Sequence, residues 1–89
     1  MIHVKKRDGR SEIFQPEKIQ FSVIYAGGSV DDAKLIAEKI DSIAYDGITT
    51  DEIARQVRKW LRNINPDAAR NYEKYYRDFK QVERPDGKD

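Results

Sequence analysis

The stretch Val4-Lys5-Lys6-Arg7-Asp8-Gly9-Arg10-Ser11-Glu12-Ile13-Phe14-Gln15-Pro16 joins strand, turn, return strand and helix start in direct succession. Ile2 and Val4 precede Asp8-Gly9, and Ile13 and Phe14 follow it, so two short alternating runs flank a strong turn pair, the pattern of a β-hairpin. Pro16 fits the first position of a helix, where its fixed φ and missing N–H cost nothing. Ile19, Val23 and Ala26 then share one helical face, and Phe21, Ile24 and Tyr25 widen that stripe, which predicts a well-buried first helix ended by Gly27-Gly28.

Beyond this helix the punctuation is regular. Ser29 is an N-cap with Asp32 three residues on, and Ala33, Ile36, Ala37, Ile40 and Ile43 follow at helical spacing. Asp46-Gly47 breaks the second helix. Thr49 through Glu52 reads as a capping box opening a third helix that carries Ile53, Val57, Trp60, Leu61 and Ile64. Asn65-Pro66 restarts the chain, and a fourth helix places Ala69, Tyr72, Tyr75, Tyr76 and Phe79 on one side before Pro85-Asp86-Gly87 marks a polar tail. The sequence thus predicts one α+β domain, an N-terminal β-hairpin lying over a small four-helix bundle. A two-stranded hairpin is marginal alone, so it must rest on the bundle, and the join is a natural crevice.

Composition limits what such a domain does. The 89 residues suffice for one core. Charged residues form 37% of the chain and the mean hydropathy is -0.87, yet five Tyr, three Phe and Trp60 supply enough large apolar surface to oppose disorder. The net charge of +1 argues against a surface built mainly to neutralise many nucleic-acid phosphates. The absence of cysteine removes disulfides, thiolate zinc sites and thiol nucleophiles. With no long apolar run and no apolar signal core, the expectation is a soluble cytoplasmic protein without membrane contact.

The cations are local. Lys5, Lys6, Arg7 and Arg10 surround one acid, Asp8, at the hairpin tip. Strand alternation turns Lys6 toward the bundle and Lys5 and Arg7 away, unless the Asp8-Gly9 turn redirects Arg7. Lys18, one turn into the first helix, adds a further cation beside free helix-start amides, which together make an anion site without a glycine-rich loop. Set against this is a plain solvated turn. His3, the single histidine, has no cysteine partners and receives no role. Thr49 and Thr50 cap the third helix or offer one hydroxyl to a ligand. Arg55, Arg58, Lys59 and Arg62 line one helix face, which is either solvated or a phosphate-binding surface. No phosphate-loop lysine motif, nucleophile set or catalytic carboxylate pair is present, so no enzymatic activity is expected.

The block Val4-Lys5-Lys6-Arg7-Asp8-Gly9-Arg10 with Glu12, Phe14 and Glu17-Lys18-Ile19 resembles the opening of the ATP-cone domain. The stretches Tyr45-Asp46-Gly47-Ile48-Thr49-Thr50-Asp51-Glu52-Ile53 and Tyr72 to Phe79 are similar to its later parts. The resemblance implies a cone over residues 1–82, a polar tail over 83–89, and ATP or dATP beneath the hairpin as a regulatory ligand, with magnesium compatible on the phosphates. It implies that Val4 lines the adenine pocket, that Lys6, Arg7 and Lys18 contact phosphates or base, and that Glu12 and Thr50 read polar groups of base or sugar. Such domains stand at the front of ribonucleotide reductase catalytic subunits, or behind a zinc ribbon in the repressor of reductase genes, where they switch oligomeric state. Gln15 stands where the family commonly has Asp or Asn, and Ala54 where some members carry a histidine near the nucleotide. The expected partners are an adenine nucleotide and either a second copy or a reductase-related protein. The alternative is a small nucleic-acid-binding protein using the hairpin and the Arg55, Arg58, Lys59 and Arg62 face.

Overall fold

The computed structural model describes residues 1–79, with side chains as far as residue 74. The tail expected over 83–89 and the domain limit at residue 82 lie outside the described residues, as do the side chains of Tyr75, Tyr76 and Phe79. Among the described residues the order is β1 (His3–Lys5), β2 (Ser11–Ile13), α1 (Pro16–Tyr25), α2 (Val30–Ile43), β3 (Ile48–Thr49), α3 (Thr50–Ile64) and α4 (Pro66–Phe79). This is the expected α+β arrangement with one addition, a third strand.

The hairpin turn is closed by Gly9 N–H to the Lys6 carbonyl at 3.0 Å and Lys6 N–H to the Arg10 carbonyl at 2.8 Å, with Gly9 at φ +91°. This is the three-residue loop in which a left-handed glycine restores the strand path. Val4 stands opposite Glu12 in the antiparallel pair. On its other edge β1 receives β3 in parallel, Val4 beside Ile48, so the strand order is β2-β1-β3. Gly47, at φ +95°, turns the chain into this strand and donates its N–H to the His3 carbonyl at 2.9 Å. A two-residue strand has no period for sequence reading to detect, and it forms because β1 offers an open edge and Ile48 finds a site where it is 1% exposed.

Local chemistry sets the helix limits. Gly28 N–H reaches the Val23 carbonyl and Gly27 N–H the Ile24 carbonyl, both at 2.9 Å, with Gly27 at φ +105°, so α1 ends in a Schellman motif. At α2 the capping box is complete: Asp32 N–H donates to Ser29 Oγ at 2.9 Å and Ser29 N–H to Asp32 Oδ2 at 3.3 Å. At α3 only half of the expected box forms. Glu52 N–H donates to Thr49 Oγ1 at 3.0 Å, but the Glu52 carboxylate turns to Gln56 and Arg55 instead of reaching back. Ala68 N–H donates to Asn65 Oδ1 at 3.2 Å, so Asn65 caps α4 ahead of Pro66.

Helices α1 and α2 pack as one pair and α3 and α4 as another, with α2 against α3. Val23, Ile36, Ile40, Val57 and Leu61 are fully enclosed between them, each contributing about 1.5–3 kcal/mol of apolar burial. Ile19 and Tyr72 complete the large core residues, and small ones, among them Ala33, Ala37, Ala54 and Ala68, let the helices approach. Not every expected core residue is inside. Phe21 is 74% and Tyr25 72% exposed, and Ile24 also faces outward. At about 100° per residue, Phe21 and Tyr25 lie roughly 200–240° around α1 from Ile19, on the side away from the bundle. Ile43 and Ile64 are the last residues of α2 and α3 and stand exposed beyond the packed section.

Candidate functional site

A crevice of about 710 Å³ opens where the hairpin meets α1 and the start of α3. Its floor and inner wall are apolar: Val4, Phe14, Ile19, Ile53, Ala54 and Tyr72. Phe14 and Ile53 rest on the bundle core, so this wall is held by packing rather than by loops. Helix α1 gives the outer wall from a second face. Lys18, Phe21, Ser22 and Tyr25 follow one another at helical spacing, turned away from the Ile19 and Val23 face that enters the core. The exposed aromatic pair thus belongs to the crevice mouth.

Charge enters from three elements. Lys6 follows β1, Glu12 stands on β2 opposite Val4, and Lys18 lies in the first turn of α1. Glu12 Oε1 accepts from Lys18 Nζ at 3.4 Å and lies 3.9 Å from Lys6 Nζ. Lys6 above all, and then the Lys18 hydrogen bond, hold the Glu12 carboxyl below the ordinary glutamate value. Gln15, the residue ahead of α1, makes no side-chain cap and lines the crevice. Thr50, the first residue of α3, lines it too and donates its hydroxyl to the Lys5 carbonyl at 3.5 Å. The crevice is bordered by two helix starts, whose amides and dipoles favour anions.

Val4, Lys6, Glu12, Lys18 and Thr50, read from the sequence as site residues, all line this crevice. Arg7 does not. The turn redirects its guanidinium to Asp51 in the first turn of α3, with Nε at 3.0 Å and Nη2 at 2.8 Å from Asp51 Oδ1. The hairpin tip is thereby tied to the helix that carries Thr50. Sequence reading missed Phe21 and Tyr25 as crevice residues, although their wheel position was a usable signal, while Tyr72, read as core on helical spacing, is both buried and part of the lining.

Residues 2–81 match the family described as the ATP cone domain. The chain belongs to the ATP-cone family. The cone is also similar to the transcriptional repressor NrdR of Hyphomonas neptunium (strain ATCC 15444), 31% identical over 87 residues. That alignment covers 89% of this chain and 55% of the repressor, so the cone spans about half the length of the curated relative it matches.

Other sequence candidates of the cone have structural partners. His3 Nδ1 lies 2.9 Å from Asp46 Oδ1, which also accepts the His3 N–H at 2.8 Å. This holds the Asp46 carboxyl below its ordinary value and ties β1 to the turn before β3. On the basic face of α3, Arg55 pairs with Glu52, and Arg58 lies 3.9 Å from Glu73 of α4. Lys59 and Arg62 remain exposed. No helix among the described residues is long and apolar enough to cross a membrane, and no metal-holding cluster of His, Asp or Glu occurs among them.

Proposed function

We propose that the cone binds an adenine nucleotide, ATP or dATP, in the crevice as a regulatory signal and passes its occupancy to a partner or to its own oligomeric state. One observation carries this reading: an apolar slot that suits a base opens beside two lysines and two helix starts that suit phosphates. Val4 and Tyr72 bound the base end, and Lys6 and Lys18 meet the phosphates. Thr50 offers its hydroxyl to the sugar region, and Arg7 acts indirectly by fixing the hairpin on Asp51. Magnesium accompanies the triphosphate on phosphate oxygens. Membership of the ATP-cone family supports the ligand, and similarity to a transcriptional repressor supports a place in the control of ribonucleotide reductase or its genes.

Calorimetric titration with ATP, dATP and GTP tests the proposal. Binding of both adenine nucleotides, with GTP weaker, is expected. Equal GTP affinity would remove the adenine pocket, and no binding by any of the three would remove the nucleotide site. The role proposed is binding without hydrolysis, a reading that rests on the sequence, which carries no phosphate-loop lysine motif and no catalytic carboxylate pair. ATP turnover above a buffer control and lost in Lys6→Ala contradicts that.

A nucleic-acid surface on α3 is the second reading. It has less support, because Arg55 and Arg58 already face acidic residues of the cone. It predicts affinity for polynucleotides that falls steeply with salt and ignores the base.

A further inference from the structure

His3 grips the turn ahead of β3 with three polar groups. Its N–H donates to Asp46 Oδ1 at 2.8 Å, its carbonyl accepts the Gly47 N–H at 2.9 Å, and its ring Nδ1 lies 2.9 Å from the same Asp46 Oδ1. An ionised carboxylate only accepts, so Nδ1 is the ring donor. From this grip two strands run forward in parallel, Val4 beside Ile48 and Lys5 beside Thr49. Both lead to the crevice: Lys6 follows β1, Thr50 follows β3, and each is part of the lining. His3 is outside the lining, because strand side chains alternate and Val4 and Lys6 take the crevice face. The ladder between grip and crevice is short. At its crevice end the Thr50 hydroxyl reaches the Lys5 carbonyl only at 3.5 Å, and Arg7 holds Asp51 through a long side chain from the hairpin turn. At its far end His3 holds the turn by its backbone and its ring together, so this end sets the offset of the two strands. The ring bond lies between partly exposed groups and contributes little to global stability. Placement is a separate quantity, since a binding site loses complementarity when its groups move by about 0.5 Å.

We propose that the His3 side chain is a positioning residue for the crevice. By holding Asp46 it fixes the parallel offset of β1 and β3, and with that offset the spacing of Val4 and Lys6 from Thr50. The ring acts at a distance, since Lys6 lies three residues on, roughly 10 Å along an extended chain. This rests on the nucleotide reading of the crevice, and it gives a role to a histidine that composition and spacing leave without one.

A double-mutant cycle read by calorimetric titration with ATP tests the role, because coupling between distant residues separates positioning from general loss of stability. The chains are the wild type, His3→Val, His3→Asn, Thr50→Val and the variant carrying both His3→Val and Thr50→Val. Valine suits a strand and removes the ring donor, while the asparagine amide stands at the same remove from the backbone as Nδ1 and restores it. Asp46→Ala removes the same bond from its other end and serves if His3→Val does not fold. His3→Val is expected to weaken ATP binding about three- to tenfold, and His3→Asn to stay within about twofold of wild type. With Thr50→Val already present, His3→Val should cost less than about twofold, because the offset then has no hydroxyl to place. Unchanged ATP affinity in His3→Val overturns the proposal. So does a full additional loss in the Thr50→Val background, or a His3→Asn chain as weak as His3→Val. If the wild type binds ATP, each of these failures removes only the positioning role. If the wild type does not bind ATP, the nucleotide reading itself falls and takes the role of His3 with it.

Discussion

Gly28 is fixed by contact rather than by dihedral angle. A Cβ there would lie 2.6 Å from Val23 Cγ1 and 3.1 Å from the Val23 carbonyl, and Val23 is fully enclosed with no room to retreat. Gly28→Ala should lower unfolding free energy by about 1–3 kcal/mol in a denaturant titration, the usual cost of overpacking a closed core. A change near zero would mean that the end of α1 relaxes without disturbing Val23. The crevice lysines act on binding instead. Lys6→Ala is expected to weaken ATP binding by about 1.5–3 kcal/mol through loss of a charge-assisted contact. Lys18→Ala should cost less, because its side chain is 64% exposed and water screens it. Unaltered affinity in both variants would place the phosphates elsewhere.

At the scale of elements, the sheet is held to the bundle by short polar ties near its edges. Arg7 joins the hairpin tip to α3, and His3 with Asp46 joins β1 to the turn that delivers β3. The carboxyls of Asp46 and Asp8 are lowered from 3.8, Asp46 chiefly by the His3 hydrogen bond and Asp8 chiefly by the Arg10 N–H. Glu12 is lowered from 4.5, chiefly by Lys6. A carboxyl lowered on folding stabilises the native state above its unfolded pKa and loses that contribution as pH falls through the folded pKa. Thermal stability is therefore expected to hold from neutral pH down to about 4.5 and then to fall, Glu12 contributing first and the two aspartates below 3.8. Asp46→Asn should melt lower than wild type at neutral pH and show a shallower acid decline. An acid decline of equal steepness in that variant would show that the β1 tie does not contribute.

For the molecule as a whole, the proposed ligand touches three elements: the hairpin, α1 and the start of α3. Nucleotide held there favours one placement of the sheet on the bundle, and any surface spanning both changes with it. The exposed Phe21 and Tyr25 stand at this boundary. Light scattering of the purified chain is expected to show a mass that depends on nucleotide, with ATP and dATP differing in extent if Thr50 meets the sugar as proposed. One mass in all three conditions from micromolar to millimolar protein would exclude self-association, and a separate partner would then have to read the occupancy.

The sequence alone determined what depends on neighbours along the chain. Pro16, Ser29, Thr49 and Asn65 set helix starts, Gly9 and Gly27 set turns, and the block from Val4 to Lys18 named the family, because caps and left-handed glycines act within a few residues. The family resemblance supplied Val4, Lys6, Glu12, Lys18 and Thr50 as site candidates, and the fold brings all five to one crevice. The tertiary structure decided what depends on which neighbour arrives in space. Ile48 became a strand because β1 had a free edge, Phe21 and Tyr25 became a crevice wall because the bundle claimed the other side of α1, and Arg7 left the crevice because Asp51 lay beside the turn. Apolar pattern says that a face will be buried, but the partner that covers it is fixed only when the helices pack.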